Sequence, residues 1–443
     1  MRHSRFNLCT DVGADEFLLT NLLSRTVLRT TRAQKELLDS IDGSVAYEEL
    51  GPDERTLVAQ FITGLFILPD EFDEEAFIAD SHAMARTSRR LKTIVIAPTM
   101  RCNMSCHYCF ESKSEQCLST SLQDRLVDRV CADLAGYDGL HVQWFGGEPL
   151  LEIEAICRLT AKMRGACETA GKTYSAEVVT NGVLLDAKIA SNLADLGVGE
   201  AQITLEGAQR LHDKVRFTSG HEGSFERVLE GLRSASPFIT INVRVHVAPY
   251  NVDSVLELLR ILAERGLQRC IGRIYFSPLF NYRTQGARIQ FRVEPRKFYG
   301  SEEFAASQTR LLTAAVNLGF NTGDPLNASY GLCVAMLDGT EVFGPSGAIA
   351  KCYLDTNEAD KAFDTLEGSG RVEAVLQQWT GYDYRADSEC VACQFSAVCL
   401  GGCPTQRMHG ADKGLVCTPL KFNFHDRMKL AYGSAAVTSE RAP

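Results

Sequence analysis

A chain of 443 residues with 45% hydrophobic and 23% charged residues is too long for one simple core and divides into two or three units. No apolar run reaches the roughly 20 residues of a membrane span, and the first residues lack the apolar stretch of an export signal, so a cytoplasmic protein is expected. The formal charge of −10 argues against a broad nucleic-acid footprint, and neither nucleic acid nor membrane is expected as a partner.

Residues 1–90 read as a small separate unit. EFLLTN and TVLRT are short strand patterns, and RAQKELLDSI is a helical one. In DERTLVAQFITGLFILPDE, Leu57, Phe61 and Leu65 recur at helical spacing before FIL runs into Pro69 as a strand. The combination predicts a winged-helix-like module, with the polar helix EEAFIADSHAMARTSRR connecting it onward.

Across 91–280 the pattern alternates. Strand candidates are KTIVIA (92–97), LHVQWF (140–145), AEVVT (176–180), AQITL (201–205), ITINVRVHV (239–247) and GRIYF (272–276), with amphipathic helices between most of them. Such alternation implies an α/β fold with a parallel sheet, here a partial (β/α)6 barrel, whose chemistry belongs at the carboxyl ends of its strands. Residues 281–330, including the helical SEEFAASQTRLLTAAVNLG, bridge to a cysteine-rich domain over 331–425. A tail over 426–443 is expected to be disordered at its end.

The chain has 16 cysteines, and in a reducing compartment clustered cysteines bind metal more often than they pair. Cys102, Cys106 and Cys109 stand directly after the first barrel strand, in PTMRCNMSCHYCF. A second group comprises Cys333, Cys352, Cys390, Cys393, Cys399, Cys403 and Cys417. Cys9, Cys117, Cys131, Cys157, Cys167 and Cys270 are scattered and read as small buried hydrophobes. Three thiolates in one short loop lack the fourth protein ligand of a structural zinc site. A 4Fe-4S cube held by three thiolates instead leaves one iron open for a substrate or cofactor.

The first motif, CNMSCHYC with Tyr108 as its aromatic, resembles the radical SAM signature C-x3-C-x-aromatic-C. WFGGEPL is similar to the glycine-rich motif of that family. There Gly146 and Gly147 would let the backbone approach a ligand amine, and Glu148 supplies a carboxylate. VVTNGVLL, with Asn181, is similar to the third-strand TNG segment. ITLEGAQRLHDKVR resembles a segment in which Thr204 and Glu206 replace the usual serine and aspartate, followed by Arg216. Arg244, inside an apolar strand, needs an anionic partner and so favours the barrel interior. The resemblance implies that Tyr108, Gly146, Gly147, Glu148, Asn181, Thr204, Glu206, Arg216 and Arg244 contact S-adenosylmethionine.

The second cysteine group resembles the SPASM domain, an extension of some radical SAM enzymes that carries two auxiliary iron–sulfur clusters. A two-zinc ribbon is the alternative. The resemblance assigns Cys390, Cys393, Cys399 and Cys417 to one cluster and Cys333, Cys352 and Cys403 to the other, for three 4Fe-4S clusters in all. The last set is one ligand short, so Asp338 or an open iron completes it. Members that mature sulfatases place an aspartate directly after the second SPASM cysteine as proton acceptor. Here Tyr353 follows Cys352 and Asp355 comes two further on; these two are the catalytic candidates.

The resemblance therefore implies a peptide maturase. A 5′-deoxyadenosyl radical would abstract hydrogen from a ribosomally made precursor and leave an oxidative thioether or carbon–carbon crosslink. The N-terminal module would bind the precursor as an added strand. A flavodoxin or ferredoxin would donate electrons. A sulfatase-maturing-type enzyme is the alternative, and a zinc-binding regulatory protein a more distant one.

Overall fold

Six parallel strands stand side by side in chain order: β1 Lys92–Ile96, β2 Gly139–Trp144, β3 Thr173–Thr180, β4 Val198–Leu205, β5 Thr240–Val247 and β6 Arg273–Pro278. The computed structural model describes residues 1–41, 50–111, 113–280, 298–326, 332–368, 370–410 and 413–433. Every strand expected from the alternation is present, with helices Thr120–Leu134, Ile153–Thr169, Ala187–Asp195, Phe225–Ala235 and Val252–Glu264 between them. A parallel sheet needs such crossovers. The short helix Gln209–Val215 was not foreseen, because its residues are mostly polar.

The strand pleat sorts side chains to two sides. Val142, Trp144, Val178, Ile203, Val243 and Val245 are fully buried in one core with Leu126, Leu159, Leu193, Leu232 and Leu258 of the helices. The intervening Gln143, Gln202, Thr204, Arg244 and His246 line a cavity on the other side. Helix Ser301–Asn317 adds Phe304, Leu311, Leu312 and Ala315 to the barrel core. The expected bridging segment thus contains a barrel helix, while its residues 281–297 and 327–330 lie outside the described residues.

The sheet does not stop where the cysteine-rich domain was expected to begin. Strand β7 Thr340–Phe343 pairs in parallel with β1, and β8 Ala348–Ala350 and β9 Asp364–Thr365 continue antiparallel. A buried ion network ties this extension down. Lys92 meets Glu341 at 3.0 Å and Asp133 at 2.7 Å, and Arg129 meets Glu341 at 2.6 Å and Asp364 at 2.9 Å. Burial works against the charge on Glu341, but Lys92 and Arg129 outweigh it and hold the carboxyl below its ordinary range. Glu341→Ala would leave Lys92, 4% exposed, without its most buried partner. The expected cost is about 3–5 kcal/mol, read as a lower denaturation midpoint. Lys92→Met/Glu341→Leu should recover most of it, and a single variant with an unchanged midpoint would refute the role.

At the N-terminus, strands Asn7–Gly13, Glu16–Asn21 and Thr26–Thr31 form an antiparallel sheet, followed by helices Arg32–Ser40 and Pro52–Thr63. Ile67–Leu68 closes the unit by pairing with Arg2–His3. Asn7–Gly13 escaped notice because NLCTDVG holds few apolar residues. Leu65 stands outside the helix its spacing suggested, past the Gly64 cap at φ 58°. Phe6, Leu18, Leu22 and Ile78 share a core with Phe395, Val398, Leu420 and Phe424. The helix Glu74–Arg86 therefore docks the module on the cysteine-rich region, and Arg86 donates to the carbonyls of Thr380 and Tyr382. The expected tail begins inside a helix, Leu420–Tyr432, in which Met428 is fully buried; residues 434–443 lie outside the described residues. Among the described residues no helix is long and apolar enough to cross a membrane.

Of the six scattered cysteines, Cys167 alone is buried. Cys9 is exposed, and Cys117, Cys131, Cys157 and Cys270 are half-buried. The expectation of burial fails for five: Cys9 lies in a strand with one wet side, Cys131 and Cys157 lie at the edges of helical apolar faces, and Cys117 and Cys270 lie in connecting segments.

Candidate active site

The loop after β1 carries Cys102, Cys106 and Cys109 into the wall of a cavity of ≈ 240 Å³ at the carboxyl ends of the strands. Backbone bonds strap the loop. Ser105 N–H donates to Phe217 O at 2.8 Å, His107 N–H to Val215 O at 3.1 Å, and Ser219 N–H to Asn103 O at 2.9 Å. Burial pushes the Cys102 thiol up to about 11 and the Cys109 thiol up to about 12. Bare thiols in this position stay protonated at neutral pH, and a bound cation is what would make them thiolates.

The glycine pair at the end of β2 presses on this loop. A Cβ on Gly146 would lie 2.6 Å from Thr99 O, and one on Gly147 would lie 2.2 Å from Arg101 O. Gly147 N–H donates to Thr99 O at 3.1 Å and Glu148 N–H to Arg101 O at 2.8 Å. The close approach is thus to the cysteine loop itself, while both glycines also line the cavity. Glu148 faces elsewhere. Fully buried, it accepts from Thr180 Oγ1 at 2.7 Å, Asn181 N–H at 2.8 Å and Leu150 N–H at 3.0 Å. It fastens the end of β2 to the end of β3. Asn181, so placed, lines the cavity and donates to Asn103 Oδ1 at 2.7 Å.

A polar chain crosses the floor. Arg216 donates to the Tyr108 hydroxyl at 2.5 Å, Tyr108 donates to Glu206, and His246 Nδ1 lies 2.9 Å from Glu206 Oε1. Burial pushes Tyr108 far above its ordinary range and His246 below its own. Burial also opposes the charge on Arg216, but Tyr108 and neighbouring anions outweigh it and keep the guanidinium protonated. Tyr108, Thr204, Arg216, Arg244 and His246 line the cavity, whereas Glu206 lies behind them. Nε of both Arg216 and Arg244 is buried without a hydrogen-bond partner among the described residues. The HD-x2-R run is structural as well: Asp213 accepts from Ser224 N–H and Phe225 N–H, both at 2.8 Å, capping the next helix.

From the cysteine-rich region Tyr353 reaches the same cavity. Its ring centroid lies 5.5 Å from Phe145 and 6.3 Å from Phe110. Asp355 does not reach it. That carboxyl is buried, pushed up by burial, and held at 3.2 Å by Lys361. Beyond lies a second cavity, ≈ 220 Å³, whose lining includes Cys390, Cys393, Cys399 and Cys417 with Arg407. Cys333, Cys352 and Cys403 stand apart from it. Burial and then Cys403 push Cys333 up. Cys352 is raised by burial, Asp355 and Cys333, and lies 3.6 Å from Thr405 Oγ1. Asp338 is exposed, as is Cys403, and the Asp338 backbone N–H donates to Arg86 O at 2.9 Å. Among the described residues no three His, Cys, Asp or Glu side chains close on a single metal ion.

Residues 96–259 match the Radical SAM superfamily. This stretch is a radical SAM domain. The chain is 24% identical over 378 residues to a PqqA peptide cyclase of Rhodopseudomonas palustris, covering 82% of this chain and 95% of that one. With an Fe-coproporphyrin III synthase of Methanosarcina barkeri it shares 27% identity over 194 residues, 43% of this chain and 45% of the relative. The chain thus spans less than half the length of that curated relative. Among solved structures, its fold is similar to anSMEcpe with bound AdoMet, at a TM-score of 0.58 and 17% identity, covering 77% of this chain and 97% of that one. It is also similar to Streptococcus suis SuiB bound to precursor peptide SuiA, at a TM-score of 0.52 and 14% identity, covering 94% and 98%.

Several residues lining the cavity of the radical SAM domain escaped the sequence reading. Gln143, Gln202 and His246 carry a signal, since polar residues at every second position of an apolar strand mark an inward face. Glu111 carries none. Its Oε1 is sealed from solvent without a hydrogen-bond partner among the described residues, and burial, then Glu358, push its carboxyl up to about 8.

Proposed function

We propose that the protein is a radical SAM peptide maturase that forms an oxidative crosslink in a ribosomally made precursor. The observation that carries this is one cavity lined both by Cys102, Cys106 and Cys109 and by Tyr353 of the cysteine-rich region. The donors fit the groups this requires. Three thiols on one loop, with no fourth protein ligand beside them in the motif, suit a 4Fe-4S cluster with one open iron. The unpartnered Nε atoms of Arg216 and Arg244 suit the carboxylate and polar edges of S-adenosylmethionine.

In this reading Cys102, Cys106 and Cys109 hold the first cluster. Gly146, Gly147, Asn181, Thr204, Arg216 and Arg244 orient S-adenosylmethionine, with Glu148, Glu206 and Tyr108 holding those residues in place. Together cluster and cofactor supply the radical that removes hydrogen from an unactivated carbon. Cys390, Cys393, Cys399 and Cys417 hold one auxiliary cluster, and Cys333, Cys352 and Cys403 another. Phe110, Phe145 and Tyr353 shape the mouth and exclude water. In this reading the N-terminal sheet takes the precursor peptide as an added strand. A flavodoxin or ferredoxin would supply electrons.

Two relations support a peptide substrate: the likeness to a protein named PqqA peptide cyclase and to SuiB, solved with its precursor peptide. The buried, Lys361-bound Asp355 argues against the sulfatase-maturing alternative, whose proton acceptor should face the substrate. Co-expression with candidate short peptides encoded near this gene tests the proposal. The expected product weighs two hydrogens less per crosslink. Unmodified peptide, alongside oxidation of a cysteine- or serine-type sulfatase peptide by the same preparation, would overturn it.

A further inference from the structure

In the cavity lined by Cys390, Cys393, Cys399 and Cys417, the Arg407 guanidinium is placed against a sulfur. Arg407 Nη2 donates to Cys390 Sγ at 3.4 Å, and Nε donates to Gly401 O at 2.9 Å. Nη1 lies 3.5 Å from Asp387 Oδ2, and the Arg407 side chain is 14% exposed. Three directions of the guanidinium are therefore fixed, which is what its planar fork allows and a lysine ammonium does not. Cys390 and Asp387 both belong to the turn around helix Ser388–Ala392, whereas Arg407 comes from helix Pro404–Met408, which follows Cys403. The arginine thus spans from the neighbourhood of one cysteine set to a sulfur of the other. Tyr382 lies in the same gap, its hydroxyl influenced by burial first, then by Arg407, Cys390, Cys399 and Cys403.

We infer that Arg407 is a positioning residue that sets the reduction potential of the cluster held by Cys390, Cys393, Cys399 and Cys417. Hydrogen bonds to cluster sulfurs and nearby positive charge are main determinants of such potentials. An N–H···S bond from a cation draws electron density from the thiolate. The reduced cluster carries one more negative charge than the oxidised one, so the guanidinium stabilises it more and raises the potential. A buried arginine also offsets the negative charge of four thiolates in a partly dry cavity. The inference rests on those four cysteines being cluster ligands.

The experiment uses anaerobically purified, iron-replete full-length protein, titrated with dithionite while each cluster is followed by electron paramagnetic resonance. Arg407→Met should shift one of the cluster signals to lower potential with iron content unchanged. Arg407→Lys, which keeps the charge but not the fork, should shift the same signal by less. The other signals should stay where they are. Unmoved potentials in an iron-replete Arg407→Met protein would overturn the inference. Should that variant lose iron, Arg407→Lys and Asp387→Asn, which releases the guanidinium from its anion, carry the test, and unmoved potentials in both overturn it equally. Cys390→Ala separates the two claims. It should lower iron by up to about four atoms per chain; unchanged iron and unchanged spectra would overturn the ligand assignment itself.

Discussion

Replacing Cys102, Cys106 and Cys109 together with alanine is expected to abolish cleavage of S-adenosylmethionine to 5′-deoxyadenosine. Iron should fall from about twelve atoms per chain to about eight, the difference of one cube. The fold should survive, because the loop is held by backbone bonds from Ser105 to Phe217, from His107 to Val215 and from Ser219 to Asn103, none of which uses a sulfur. Removing three half-buried thiols also removes Cys102 and Cys109, which burial holds protonated. Thermal stability of the cluster-free protein should therefore change little. Retained cleavage would refute the assignment. Loss of all iron would show that the first site and the auxiliary sites do not load independently.

The barrel was legible because its signal is periodic. Each strand joins an apolar run buried on the helix side to polar residues on the cavity side, and the helices between carry one apolar face. Cys102, Cys106 and Cys109 were legible because their spacing is tight and their place follows β1. The functions of Gly147 and Glu148 were less so. The sequence reading directed both at a ligand, whereas Glu148 spends its hydrogen bonds on Thr180, Asn181 and Leu150 and so joins two strand ends. A motif shows which residues are required together, not which of them faces the ligand. The extension of the sheet past β1 was illegible for another reason. TEVF and AIA are short; TEVF becomes a strand by pairing with Lys92–Ile96 across a long sequence separation, and AIA by pairing with TEVF.

Gly147→Ala should lower the rate of 5′-deoxyadenosine formation about a hundredfold or more, since a displacement near 1 Å at a reacting site can cost that much. The new Cβ would stand 2.2 Å from Arg101 O and 2.6 Å from Met100 O. Both are backbone atoms, so no side chain can turn aside to make room. Relief requires the cysteine loop and the end of β2 to separate. That motion stretches the bonds from Gly147 N–H to Thr99 O and from Glu148 N–H to Arg101 O. It carries Cys102, next in chain to Arg101, away from Asn181 and the floor of the cavity. Overpacking of this kind also destabilises by roughly 1–3 kcal/mol, so the assay belongs well below the melting temperature, with circular dichroism to confirm folding. Gly165→Ala is the control. That glycine lies in helix Ile153–Thr169 with nothing within 4 Å of its added Cβ, and alanine favours a helix by up to about 1 kcal/mol. It should leave cleavage unchanged and raise stability slightly. A Gly147→Ala protein that cleaves at the parental rate would show that the two loops do not need their close contact, and the coupling drawn between the glycine pair and the cysteine loop would fall.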